Sequence, residues 1–245
     1  MLKGFWKLTW VETKVFVREP MGLIGTLVIP VVLFVVLGRT LGLKKPAVAA
    51  APPFNVAILA ALFLAISAVL SLVAIISIYR EGGILKRLRA TPLSPVTILG
   101  SQVVLKLLFT ALGLGLLMLA GRRIFPGVMQ VNVPSFTAAV LVSTASILSL
   151  GFVIASLVPT ARFAQPIGGA ILYPMIALSG VFFPVENLPA FWRAVAYCLP
   201  TTHAVSLMQG VWNGSGWGPH LGDVAALVVI AAVCVAVSTR VFRWE

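Results

Sequence analysis

Apolar residues fall in six long runs, at about residues 22–42, 54–78, 96–120, 136–158, 163–183 and 221–241, with polar stretches between them. A helix needs about 20 apolar residues to cross a bilayer, with a tolerance of about 17–25, so each run is long enough to span. The first run carries no charge from Gly22 to Gly38, and Arg39 at its end can snorkel to the interface. The third holds one charge, Lys106, about two turns from the helix start and so also placed to snorkel. The fifth is interrupted by Pro166 and Pro174. The pattern predicts an all-α integral membrane protein, with residues 1–245 forming a single transmembrane domain of six helices.

The polar stretches have patterns of their own. In residues 1–19, Lys3, Lys7, Lys14 and Arg18 fall within a sector of about 60° at 100° per residue. Trp6, Trp10 and Val17 lie beside that sector, Leu2, Phe5 and Phe16 continue the apolar face, and Glu12 and Glu19 take the far side. This predicts a helix lying in the membrane interface and broken by Pro20, in preference to an ordinary basic tail. Ala47-Val48-Ala49 has the look of a signal-peptidase site. Arg39, Lys44, Lys45 and Pro46 separate it from the apolar run, so the first span is expected to be retained.

Residues 79–95 hold the densest charge cluster, with Arg80, Glu81, Lys86, Arg87 and Arg89. Leu85 and Leu88 share one face of a short helix that Gly82 and Gly83 can start and Thr91-Pro92 stops. Two readings stand: a solvated basic loop that sets orientation, or a short docking helix with an apolar anchor. Residues 184–220 are too apolar for a solvated loop. Phe191, Trp192, Val195, Ala196, Tyr197 and Leu199 precede Pro200, and Ala204, Val205, Leu207, Met208, Val211 and Trp212 follow it. Pro184, Pro189 and Pro200 punctuate two short helices hinged at Pro200. These either re-enter the bilayer or lie flat with Trp192, Trp212 and Trp217 as belt residues.

Composition agrees with the pattern. The chain is 60% hydrophobic and 10% charged, with mean hydropathy +1.08, against about 45–50% apolar and about 25% charged for soluble domains. The net charge of +12 does not mark a nucleic-acid binder, because the basic residues flank apolar runs instead of forming a solvated patch. With six spans, one side holds both termini, residues 79–95 and Arg162, and with them eleven of the 18 lysines and arginines. The opposite loops hold six. The positive-inside rule then puts both termini and the basic loop in the cytoplasm. Cys198 and Cys234 have neither disulfide nor thiolate-metal spacing and are expected to pack as small apolar residues.

Little in the sequence supports catalysis. It contains no G-x-x-x-x-G-K-[ST], no H-E-x-x-H and no G-x-S-x-G. His220 and Asp223 are spaced i, i+3 at the head of the last run, more simply a helix start than a metal or catalytic pair. No carboxylate lies in mid-span, whereas ion-coupled carriers usually use intramembrane relays. Uphill transport would therefore draw its energy from another chain.

Three stretches resemble the signatures of the type-2 ABC exporter permeases. Glu81-Gly82-Gly83-Ile84-Leu85-Lys86-Arg87-Leu88-Arg89-Ala90-Thr91-Pro92-Leu93-Ser94 is similar to that family's E-x-G-T-L-E-x-L-x-x-T-P-L-S stretch. Leu178-Ser179-Gly180-Val181-Phe182-Phe183-Pro184, followed by Leu188-Pro189, Trp192, Pro200 and Thr202-His203-Ala204, resembles its second signature, and Arg18-Glu19-Pro20 resembles its Arg-Asp-Pro start. Ile84 and Lys86 depart from the usual Thr and Glu, and Ser101 from a common Lys, which bears on subfamily. The resemblance implies a coupling helix at 79–95, with Glu81, Gly83, Leu85, Lys86, Arg87, Leu88, Thr91 and Pro92 facing an ATPase. It implies outer re-entrant helices hinged at Pro184, Pro189 and Pro200, no metal, and ATP and magnesium held by separate ABC ATPase subunits. It also implies pairing with a second permease, as a copy or a similar chain, in a bacterial or archaeal plasma membrane, and export of a drug, lipid or glycan-type substrate. Two other functions stay open: an integral membrane enzyme with a site near His203, His220 and Asp223, and an ion-coupled carrier.

Overall fold

The computed structural model describes residues 2–40, 55–83, 95–124, 131–158 and 160–241. Every regular element among them is helical: α1 (Leu2–Val17), α2 (Pro20–Leu23), a π-helical turn (Ile24–Val28), α3 (Ile29–Thr40), α4 (Val56–Glu81), α5 (Pro95–Ile124), α6 (Val133–Leu157), α7 (Ala161–Leu178), α8 (Ala190–Tyr197), α9 (Pro200–Trp212) and α10 (Leu221–Val241), with single 3₁₀ turns at Val185–Asn187 and Gly218–His220. Among the described residues, four stretches are long and apolar enough to cross a membrane: Ala57–Glu81, Gly100–Ile124, Val133–Leu157 and Gly218–Ser238. The other two expected runs are shorter as continuous helix. Ile24–Thr40 is a shorter apolar helix, and α7 has 18 residues.

Local chemistry explains where the elements start and stop. The Asn55 side chain accepts from the N–H groups of Ala57 and Ile58 and so caps α4. Asn132 caps α6 by accepting from Ser135 N–H, with Pro134 in the first turn. Pro30 cannot donate to the Thr26 carbonyl and crowds it, and the helix widens there. The Ile29 N–H reaches back five residues to the Ile24 carbonyl. Pro166 and Pro174, expected as interruptions, lie inside continuous α7; membrane helices accept the lost ladder bonds where neighbours cover them. α4 ends at Glu81, and Gly83 takes φ +64° in the turn that follows. Tyr79, Arg80 and Glu81 thus form the last turn of α4.

α4 is the axis of the bundle. It is apolar on all sides, the pattern of a helix enclosed by others. It packs against α3, α5, α6, α7 and α9. Small residues let those neighbours approach closely, as in lipid-embedded bundles. A Cβ on Gly151 of α6 would sit 2.9 Å from a Val69 methyl, and one on Gly168 of α7 would sit 2.8 Å from a Leu70 methyl. α6 in turn carries α9 and α10. The Ser146 hydroxyl donates to the Leu227 carbonyl of α10 at 2.8 Å, and Arg80 at the end of α4 donates to the Val158 carbonyl at the end of α6.

The two short helices on either side of Leu199 differ in setting. α9 is enclosed by α6, α10, α4 and α7, and Leu207 and Met208 are fully buried. α8 is peripheral, with Phe191 70% and Trp192 49% exposed. Each of the three expected hinge prolines begins an element. Pro184 precedes the 3₁₀ turn, Pro189 is the N-cap of α8, and Pro200 is the first residue of α9.

Candidate functional site

α1 lies against α5, and the face it turns to the bundle carries Thr9, Glu12 and Phe16. Trp6, Lys7, Trp10, Val11, Lys14 and Val15 face outward, and the Lys14 ammonium lies 5.2 Å from the Trp10 ring centre. The exposed basic and aromatic face agrees with an interfacial helix. The acid at position 12 does not face away from the protein: it is the face that docks.

Glu12 docks through one partner. The Tyr79 hydroxyl, in the last turn of α4, lies 2.7 Å from both of its carboxylate oxygens. Beside this pair, on α5, stand Gln102 and, one turn farther along, Lys106. Lys106 does not snorkel. It is 3% exposed, its Nζ donates to the Ser71 hydroxyl of α4 at 2.6 Å, and it lies 4.5 Å from the Phe16 ring centre. No carboxylate comes within ion-pair distance of its Nζ among the described residues. Among the described residues its three N–H donors meet one hydroxyl acceptor and one aromatic face. Gln102 is 1% exposed, and neither atom of its carboxamide finds a partner of good hydrogen-bond geometry. The neighbouring Tyr79 hydroxyl donates to Glu12, and the Gln102 carboxamide stands beside that hydroxyl's oxygen.

Glu12, Ser71, Gln102 and Lys106 supply polar groups to a cavity of about 440 Å³ between α1, the π turn, α4, α5 and α7. Its walls are apolar, chiefly Phe16, Ile29, Phe63, Ile66, Leu70 and Ile78, and Gly25 and Thr26 of the π turn line one side. Ile29, Ile78 and Tyr173 at its edge are about half exposed, so the cavity opens sideways out of the bundle. Apolar walls with a few convergent polar groups, in the range of about 300–1,000 Å³, describe a small-molecule pocket. The sequence signal was Lys106 alone, an ionisable residue in a charge-free run. What hid the rest is that Ser71, Tyr79, Glu12 and Gln102 come together only when α1 folds back onto the bundle.

Elsewhere in the bundle, α9 and the start of α10 bring a second polar group together. His203 Nδ1 lies 2.8 Å from one oxygen of Asp223, and His220 Nδ1 lies 3.0 Å from the other. The Ser206 hydroxyl donates to that second oxygen at 2.7 Å. This is the arrangement the enzyme alternative needed, but its chemistry points elsewhere. A serine nucleophile passes its proton to an imidazole nitrogen; the Ser206 hydroxyl lies 2.7 Å from Asp223 Oδ2 and farther, 3.4 Å, from His220 Nδ1. The His220 ring lies where a Cβ on Gly210 would stand, 1.9 Å from Nε2, so that nitrogen faces backbone with no room for a reactant. Cys198, expected in the interior, is exposed beside this cluster, and Cys234 is half-buried.

Of the predicted coupling residues, Glu81 and Gly83 lie at the end of α4 as described. Leu85, Lys86, Arg87, Leu88, Thr91 and Pro92 lie outside the described residues.

The family model described as ABC-2 type transporter matches residues 3–212. Nodulation protein J of Rhizobium leguminosarum bv. viciae is 30% identical over 95 residues, 39% of this chain and 37% of that protein. The inner membrane transport permease YhhJ of Escherichia coli (strain K12) is 24% identical over 172 residues, 67% of this chain and 44% of that protein. The linearmycin resistance permease protein LnrN of Bacillus subtilis (strain 168) is 24% identical over 165 residues, covering 67% and 43%. The matched stretches span less than half the length of each of these relatives.

Proposed function

We propose a transport role from one premise: the chain belongs to the ABC-2 type transporter family, whose model matches residues 3–212. That match is the observation that carries the proposal. In this role the chain is the membrane-spanning permease of an ATP-driven exporter. These 245 residues contain no phosphate-binding loop, so ATP and magnesium belong on partner ABC ATPase subunits, and two permeases, identical or similar, pair across the bilayer. The basic loop at 79–95 docks on the ATPase through Leu85 and Leu88, with Lys86, Arg87 and Arg89 as its rim. The termini and this loop face the cytoplasm, and the segment 184–220 dips into the membrane from the outer side, with α9 as its buried limb.

The cavity beside α1 gives the transport role a physical form. An amphiphilic substrate of drug, lipid or glycan type lays its apolar part along Phe63, Ile66 and Leu70 and turns an acceptor group to the spare donors of Lys106 and Gln102. The sideways mouth admits such a molecule from the bilayer. One relative is named a resistance permease, which fits a pocket of this kind.

Gly25 provides the test. A Cβ there meets nothing within 4 Å, and the residue lines the pocket. Gly25→Leu should fill the cavity without disturbing the helices. The chain is reconstituted with its ATPase in liposomes, and ATP-dependent uptake of fluorescent amphiphiles into inside-out vesicles is measured. Gly25→Leu should lower uptake at least about tenfold while assembly with the ATPase is unchanged. Uptake at the level of the unsubstituted protein would remove the cavity from the transport path, and uptake without ATP would contradict the ATP-driven role itself.

A further inference from the structure

The carboxylate cluster where α9 meets the start of α10 has an imbalance of protons that no transport step has used. His203 stands on α9 and points both ring nitrogens at acceptors. Nδ1 lies 2.8 Å from Asp223 Oδ1 on α10, and Nε2 lies 3.0 Å from the Tyr197 carbonyl at the end of α8. A neutral imidazole has one N–H and one lone pair, so it can donate to only one of them. The other contact would set a lone pair against an oxygen. Both contacts close only if the His203–Asp223 pair holds one proton more than a neutral imidazole beside a carboxylate, whichever partner carries it.

We propose that this pair is a proton-held clasp that ties α8 to α9 and α10, and that losing the proton frees α8. The rest of the site fits a clasp. The Tyr197 carbonyl is at the C-terminal end of α8, where a cation is favoured. Asp223 stands in the first turn of α10, and it is further held by Ser206 and His220. α8 has few other ties: of its residues only Ala196 is buried. The other titratable groups on elements packed against α9 are few. His220 sits on the preceding 3₁₀ turn and engages Asp223, and the Tyr197 ring lies 6.5 Å from the His203 ring. Arg193 of α8 donates to the Glu186 carbonyl. α6 contains no titratable side chain, those of α4 lie in its last turn, and those of α7 are Arg162 and Tyr173. His203 is therefore the group whose protonation decides the contact to α8.

The sign follows from the proton count. The proton strengthens the clasped form, so the clasp is closed at low pH and opens as pH rises. Whatever molecule the transporter moves, this device concerns the outer hairpin alone.

The exposed Cys198, next to Tyr197, offers a reporter. The full chain carrying Cys234→Ala is spin-labelled at Cys198 and placed in lipid nanodiscs. Label mobility is then followed from about pH 5 to about pH 8, the range in which histidine changes charge. The mobile spectral component should at least double across that range. The change should vanish in His203→Gln, and independently in Asp223→Asn, while persisting in His220→Gln. Equal mobility at both ends of the range overturns the clasp, and so does a pH response that survives both His203→Gln and Asp223→Asn.

Discussion

Lys106→Met separates stability from transport at the level of one side chain. Replacing a buried charge by an apolar group of similar volume is often neutral or stabilising. Among the described residues Lys106 touches a hydroxyl and a ring, and the Glu12 and Glu19 carboxylates act on it only from beyond ion-pair distance. Thermal unfolding of the purified variant should therefore fall within about 1 kcal/mol of the unsubstituted protein or above it. ATP-dependent uptake should drop with it, because the pocket loses its donors. Ser146→Ala makes the opposite test. Its hydroxyl bridges α6 to the Leu227 carbonyl of α10, and interhelical bonds in membranes are worth about 0.6 kcal/mol on average and up to about 1.7. A loss of about that size in denaturant titration, with transport retained, is the expected result. At Gly210 even alanine is excluded unless the His220 ring moves. Gly210→Ala should abolish the His220–Asp223 contact, seen as a shifted imidazole resonance, and leave His203 on Asp223.

At the scale of elements, close packing around α4 sets what can change. Gly151→Val places methyls against Val69 and Leu72, and overpacking of this kind costs typically about 1–3 kcal/mol. A lowered melting temperature with unchanged topology is expected. The same elements mark what could be read from the chain. α10 begins and ends where the hydrophobic run does, and caps at Asn55 and Asn132 place the starts of α4 and α6 within a few residues of the apolar edges. Periodicity could not reveal the π turn at Ile24–Val28, because its cause is one missing donor at Pro30. Nor could it show that α7 stays helical through Pro166 and Pro174, since neighbouring helices decide that. The division of residues 184–220 at Pro200 was legible from proline spacing. The inequality of α8 and α9 was not, because both are comparably apolar and only tertiary contact distinguishes them. For the candidate pocket the sequence offered a single lysine; Ser71 and Tyr79 come to it from α4 and Glu12 from α1.

For the whole molecule, the decisive features are topology and assembly. Cysteines introduced singly at positions 45, 86, 132 and 245, with Cys198 and Cys234 replaced, report sidedness to membrane-impermeant reagents. Positions 45 and 132 should label from outside, and 86 and 245 only after permeabilisation. Outside labelling at 86 would break the proposed orientation. Assembly tests the central claim most directly. An apolar anchor within a charged rim concentrates binding energy in a few residues, and a carboxylate placed there costs several kcal/mol when buried unpaired. Leu85→Asp and Leu88→Asp should therefore release the ATPase while the chain still inserts in the membrane, and Lys86→Ala at the rim should release little. The measurement is native mass spectrometry of the tagged chain released from membranes with its partners. The account predicts a complex of two permeases with two ABC ATPases, reduced to permease alone by either Leu→Asp variant. A lone 26.0 kDa chain that transports without any ATPase, or a complex that both Leu→Asp variants leave intact and active, would contradict it.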